Sequence, residues 1–109
     1  MAATEFKLTC DVARVLKLAR VLFTHVANEC PSKRRAHFNS AMGVSAGVPD
    51  FLVFEVPPLA IELKSSKGRV TPSQAGWMAA LEARGWRVAV CRSVAEVVDL
   101  IRDVYGDVF

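Results

Sequence analysis

No apolar run in this 109-residue chain approaches the ~20 residues that a membrane-spanning helix requires. The first residues show neither a basic stretch leading into an apolar one nor a small-residue cleavage site. A secretory leader is therefore not expected, and the chain is read as intracellular and cytoplasmic, with no membrane partner. Cysteine is scarce. Cys10, Cys30 and Cys91 lie far apart and form no CxxC pair, which removes the usual pattern for zinc or dithiol chemistry and leaves reduced thiols. His25 and His37 have no spacing that suggests a zinc pair. The sequence also lacks a serine nucleophile elbow, a phosphate-binding glycine loop, an internal repeat, a linker and any low-complexity segment.

What is present suffices for one core. A single domain spanning residues 1–109 is expected, because the length matches the common domain size of about 100 to 150 residues. With 52% apolar residues, such a chain can bury roughly two-thirds of its unfolded surface without disulfides. The net charge of +3 is unevenly spread. From Glu96 to Asp107 four acids face one base, Arg102, so the residues before them carry +6, a distribution compatible with a polyanionic partner.

Leu8, Val12, Val15, Leu16 and Ala19 share one face at helical spacing, with Thr9 placed to cap and Asp11 in the first turn. A helix over about residues 10–20 is predicted. A β-branched and aromatic run at 21–26 predicts a strand, and Pro31 opens a basic, polar stretch at 32–40. Residues 51–54 and 59–64 read as two strands joined by the Pro57-Pro58 turn, hence an antiparallel hairpin. Thr71-Pro72-Ser73-Gln74 supplies a cap, a proline at the first helical position and a capping-box partner, so a helix starts at Pro72. Its apolar face is Trp77, Met78 and Leu81, and Gly85 stands where a left-handed cap ends it. Trp77 and Trp86 are read as core anchors. Residues 86–92 form a further strand, and Ser93 with Glu96 makes a second capping box, opening a helix whose face is Val94, Val97, Val98, Ile101 and Tyr105. The order is α-β-β-β-α-β-α: an α/β fold with a mixed four-stranded sheet flanked by helices.

The chemistry concentrates in Gly47-Val48-Pro49-Asp50 and, across the hairpin, Ile61-Glu62-Leu63-Lys64. Alternation along a strand puts Glu62 and Lys64 on one face and Leu59, Ile61 and Leu63 on the other. With Asp50 beginning the partner strand, its carboxylate approaches Glu62, and two hard oxygen donors at that spacing suit Mg²⁺ or Mn²⁺. Such an ion lowers the pKa of water from ~15.7 toward neutrality and polarises a phosphoryl oxygen. Lys64 on the same face can orient the water or neutralise charge on the phosphate. An isolated ExK is more often an exposed ion pair. The Pro-Asp strand start before it and the polar helix opening after it favour the catalytic reading. Lys33, Arg34 and Arg35 with His37, and Lys67 and Arg69 beside the ExK strand, are the candidate phosphate contacts; they supply affinity without reading sequence.

These motifs, together with Gly43-Val44, Phe51-Leu52-Val53, Ser65 and Gly68-Arg69-Val70-Thr71-Pro72-Ser73-Gln74, resemble those of the virus-type replication-repair nuclease (VRR-NUC) family. That family lies within the PD-(D/E)XK superfamily. The similarity continues through Leu81, Gly85 and Val88-Ala89-Val90 to Val94. The resemblance implies a restriction-endonuclease-like fold, a metal bound by Asp50, Glu62 and the backbone carbonyl of Leu63, and Lys64 as the catalytic lysine. It matches Gln74 to a glutamine that faces the active site, beside its capping role, and Glu5 to an acidic residue of the first helix, although Glu5 precedes the helix predicted above. The proline that often follows the first strand in relatives is replaced here by Ala27 before Asn28.

The resemblance further implies an Mg²⁺- or Mn²⁺-dependent endodeoxyribonuclease of phage or prophage type that resolves four-way (Holliday) junctions as a homodimer. A phage enzyme would work in the host cytoplasm. Two alternatives stand beside it: a non-catalytic DNA-binding module on a nuclease fold, and a nuclease preferring flaps or linear duplex. The short chain leaves little surface for reading bases, which favours recognition of DNA shape.

Overall fold

The computed structural model of the protein describes residues 3–27 and 41–109. The cluster Lys33, Arg34, Arg35 and His37, Cys30 and the break at Pro31 lie outside the described residues. Among the described residues the elements are α1 (Ala3–Leu18), β1 (Phe23–His25), β2 (Phe51–Val53), β3 (Leu59–Leu63), α2 (Pro72–Glu82), β4 (Arg87–Cys91) and α3 (Val94–Tyr105). This is the order predicted from the sequence. The four strands form one sheet in the order β1-β2-β3-β4. β1 with β2 and β2 with β3 are antiparallel, the second pair with Phe51 opposite Ile61. β3 and β4 are parallel, with Leu63 opposite Cys91, and α2 makes the crossover between them.

The first helix starts well before the predicted residue 10. Thr9 is no cap: its hydroxyl donates to the Glu5 carbonyl 2.9 Å away, the back-bonding of a residue inside a helix. Lys7 and Asp11 pair at 2.6 Å one turn apart, and Glu5 occupies the first turn. The apolar periodicity identifies the buried stripe correctly and leaves the polar leading turns unseen.

Val12 and Leu16 of α1, Val97 and Ile101 of α3, and Phe51, Val53, Leu59 and Ile61 of the sheet form one core cluster, all fully buried. Each such side chain contributes about 1.5–3 kcal/mol by leaving water. α1 and α3 thus share one face of the sheet, while α2 packs against β4 and reaches Glu62 from the opposite side. The face of β3 that carries Glu62 is buried as well as the apolar one: Leu59, Ala60, Ile61 and Glu62 are all buried, Glu62 at 2% exposure. A central strand with a helical layer on each side has no solvated face.

α2 begins as predicted. Thr71 accepts from the Gln74 N–H, and Gln74 Oε1 accepts from the Thr71 N–H at 2.9 Å. Gly85 follows the helix with φ +89°, its N–H donating to the Glu82 carbonyl. No residue of α2 is fully buried, so Trp77 is half-buried and not a core anchor. Trp86 is likewise half-buried, edge-on to the Phe54 ring at 5.9 Å. The reason is compositional: Ala75, Gly76, Ala79 and Ala80 give this helix little to insert into the sheet. At α3 the second capping box forms by half. Ser93 accepts from the Glu96 N–H, whereas the Glu96 carboxylate takes the N–H of Arg92 instead of that of Ser93.

Candidate active site

β2 begins at Phe51, so the residue facing the end of β3 is Asp50, and its side chain replaces a missing strand partner. Asp50 Oδ2 accepts from the Leu63 N–H at 2.7 Å. In extended backbone the N–H and C=O of one residue point to the same edge of the strand, so the Leu63 carbonyl opens on the gap beside Asp50. Asp50 is held from behind as well. Its carbonyl accepts from the Val26 N–H at 2.7 Å and from His25 Nδ1 at 2.9 Å, a contact that needs a proton on Nδ1. No sequence signal marks His25 for this part, because the pairing of β1 with β2 is what brings it there.

Glu62 projects to the α2 side of the sheet. Its Oε1 accepts from Gln74 Nε2 at 3.2 Å and lies 3.8 Å from the Lys64 amine. The two readings of Gln74 merge here. Because its carbonyl oxygen is committed to the Thr71 cap, its amide nitrogen must face Glu62. Glu62 Oε2 is buried with no hydrogen-bond partner among the described residues. Burial, with the Asp50 carboxylate next, pushes the Glu62 carboxyl up to about 8, while Lys64 pulls the other way.

Both acids, Lys64 and Gln74 line a cleft of about 260 Å³ that also takes in Leu63, Ser65, Gly68 and Arg69. α1 supplies the remaining wall through Glu5, Leu8 and Thr9. The early start of that helix is what carries Glu5 to the cleft. Lys67 is exposed on the loop that bears Arg69. The structure therefore gathers Asp50, Glu62, Leu63, Lys64, Gln74, Arg69 and Glu5 in one place. Lys33, Arg34 and Arg35 lie outside the described residues.

The donor set fits a hard divalent cation. A buried carboxylate oxygen with no donor among the described residues, pressed by a second carboxylate, is an electrostatic imbalance that a cation relieves. No group of three or more His, Cys, Asp or Glu side chains able to hold a metal occurs among the described residues. Two carboxylates and a carbonyl suit Mg²⁺ or Mn²⁺, which keep positions for water and phosphate oxygens.

Gly47 is a further contributor, one to which the motif around Asp50 gives no role in the sequence. Its φ is +90°, and a Cβ there would stand 2.7 Å from the Ser73 carbonyl carbon and 2.9 Å from the Gln74 nitrogen. The backbone ahead of Asp50 thus lies flush against the first turn of α2. Gly47→Ala is expected to cost at least ~2 kcal/mol, from the left-handed backbone and the forced shift of α2 together. A thermal melt lowered by roughly 8 °C or more checks this. An unchanged melting temperature would refute the close contact.

A sequence profile of the VRR-NUC domain matches residues 5–95. No curated protein matches the chain. Among solved structures, one described as a VRR_NUC domain protein superposes with a TM-score of 0.76 at 24% identity, covering 96% of this chain and 90% of the other. Another, described as a VRR_NUC domain, gives 0.70 at 20% identity, covering 95% of this chain and all of the other. These likenesses agree with a restriction-endonuclease-like fold for this chain, whose mixed four-stranded sheet is flanked by helices. With most of its length matched, the chain belongs to the VRR-NUC domain family, a family of nucleases.

Proposed function

We propose that the protein is a metal-dependent DNA endonuclease that selects branched DNA and cuts four-way junctions as a homodimer in the cytoplasm, working as one domain over residues 1–109. The observation that carries this reading is the buried Glu62 oxygen that has no hydrogen-bond partner among the described residues, in the electrostatic reach of Asp50, with an amine and an amide at the other oxygen. That asymmetry leaves one Glu62 oxygen for a cation and keeps the other fixed.

Asp50, Glu62 and the Leu63 carbonyl would hold Mg²⁺ or Mn²⁺. Such an ion polarises a phosphoryl oxygen and lowers the pKa of water enough to supply hydroxide near neutral pH. Gln74 keeps the Glu62 carboxylate from rotating. Lys64, 14% exposed, presents its amine at the cleft, where it offsets negative charge growing on the phosphate or orients the attacking water. Glu5 adds a negative group on the α1 wall that can orient a water. Arg69 on the cleft wall, Lys67 on the same loop, and Lys33, Arg34 and Arg35 bind flanking phosphates, contacts that weaken as salt rises. Homodimerisation follows from the substrate: a symmetric junction needs two matched cuts, which a two-fold assembly places.

The test offers the purified protein matched four-way junction, flap and linear DNA, each with Mg²⁺, with Mn²⁺ and with chelator, beside Asp50→Ala. Metal-dependent cutting of junctions by the wild type alone is expected. Equal cutting of flaps or linear duplex would refute the junction preference. Binding without cutting in any metal would instead make the domain a non-catalytic DNA-binding module.

A further inference from the structure

Arg92 stands just beyond β4, at the start of the turn into α3, and the chemistry above gives it no task. Its neighbourhood is nonetheless built. The Lys64 N–H donates to the Cys91 carbonyl at 3.0 Å, so β4 ends beside the lysine of the ExK strand. The backbone N–H of Arg92 is taken by the Glu96 carboxylate, which ties it to the first turn of α3. From that anchor the guanidinium crosses to the loop after β3. One terminal nitrogen, Nη1, donates to both the Ser65 carbonyl at 2.6 Å and the Gly68 carbonyl at 2.8 Å. Gly68 N–H also donates to the Ser65 carbonyl at 3.1 Å, closing the turn that the guanidinium grips.

This turn lies over the Lys64 side chain. A Cβ on Gly68 would stand 3.4 Å from Lys64 Cδ and 3.1 Å from Ser65 Oγ, so the backbone of residue 68 runs along the lysine stem. Four methylenes and an ammonium have many rotamers, and only a packed stem keeps the amine at one place beside Glu62. Arg69, the next residue, leaves the same turn to line the cleft.

We propose that Arg92 is a positioning residue: it buckles the 65–68 turn onto the Lys64 stem and so holds the lysine amine and the Arg69 guanidinium at the cleft. It touches neither the acids nor the substrate phosphate and acts through the loop. The two N–H groups of Nη1, fixed in the guanidinium plane, serve one carbonyl each, whereas the freely rotating ammonium of a lysine in its place holds neither direction in advance. The catalytic consequence rests on the nuclease reading; the structural one does not.

The test therefore has a readout that needs no cleavage. Reductive methylation of the folded protein, followed by peptide mass spectrometry, gives a modification rate for each lysine. In Arg92→Ala, Lys64 is expected to react about five- to tenfold faster, as an unbuckled turn opens more often, while Lys7 and Lys17 keep their rates. Arg92→Lys falls between the two, and it carries the comparison alone if the alanine variant does not fold. On DNA, kcat of Arg92→Ala drops roughly 10- to 100-fold, the cost of a misplaced catalytic group, with KM moving less than about threefold. An unchanged Lys64 rate in a folded variant, or an equal rise at every lysine, would overturn the proposal. So would full kcat in a variant whose wild-type parent cuts. A wild type that cuts no DNA in any metal would count against the nuclease reading, and the labelling rates would still decide the role of Arg92.

Discussion

Asp50→Asn is expected to reduce DNA cleavage by on the order of 10³-fold while leaving the fold intact. The asparagine carbonyl can still accept the Leu63 N–H that Asp50 Oδ2 now takes at 2.7 Å, so the end of β3 keeps its partner. What disappears is one of two negative charges around the proposed cation. Removing it also relieves Glu62, whose carboxyl the Asp50 charge helps to push up. In chelator the variant should therefore melt no lower than the wild type. Single-turnover cleavage and a thermal melt on the same preparation separate the two effects. Full activity of a folded Asp50→Asn protein would remove Asp50 from the metal site.

Glu62→Gln should abolish cleavage equally and, in addition, change how stability depends on pH. The Glu62 carboxyl stands at about 8 in the folded protein against an ordinary value of 4.5. Below 4.5 both folded and unfolded chains hold the proton, and Glu62 imposes no charge penalty. Between 4.5 and about 8 the unfolded chain releases the proton while the folded one retains it, so stability falls as pH rises. Above that range the folded state carries the full cost of a buried carboxylate, on the order of 3–5 kcal/mol, since each tenfold change in proton affinity is worth about 1.36 kcal/mol. Metal-free wild-type protein is thus expected to melt roughly 15 °C lower at pH 8.5 than at pH 5. Glu62→Gln should lose most of that slope. Mn²⁺ should restore the wild type chiefly at the alkaline end, because its ligands must be deprotonated, and leave the glutamine variant nearly unmoved. A wild-type melting temperature that is flat with pH in chelator would show that Glu62 is not held as described.

The fold and the nuclease motifs of the family are legible in the residues themselves because they depend on local signals. Thr71-Pro72-Ser73-Gln74 specifies a helix start through hydrogen bonds made within four residues, and the cap is there as expected. The Pro57-Pro58 turn between two short apolar runs specifies the antiparallel hairpin, and hence the approach of Asp50 to the end of β3. Where the sequence misleads, the deciding interaction is invisible to local pattern. Thr9 has the chemistry of a cap and of an interior back-bonding residue alike, and only the helical turns before it choose between them. Residue type points Trp77 to the core, yet its helix lies on an outer layer with small neighbours.

Taken alone, the order of residues determined the types of element, their sequence along the chain and the closeness of Asp50, Glu62 and Lys64, since strand alternation and turn chemistry act over a few positions. Tertiary structure decided what those groups experience. Only the stacking of helical layers on both sides of β3 buries Glu62, leaves one of its oxygens with no donor among the described residues and raises its proton affinity. Only the side-by-side placement of β3 and β4 brings Arg92 over the turn beyond Lys64. Burial and long-range hydrogen bonding depend on partners distant in the chain, so the electrostatics of the site belong to the packed molecule.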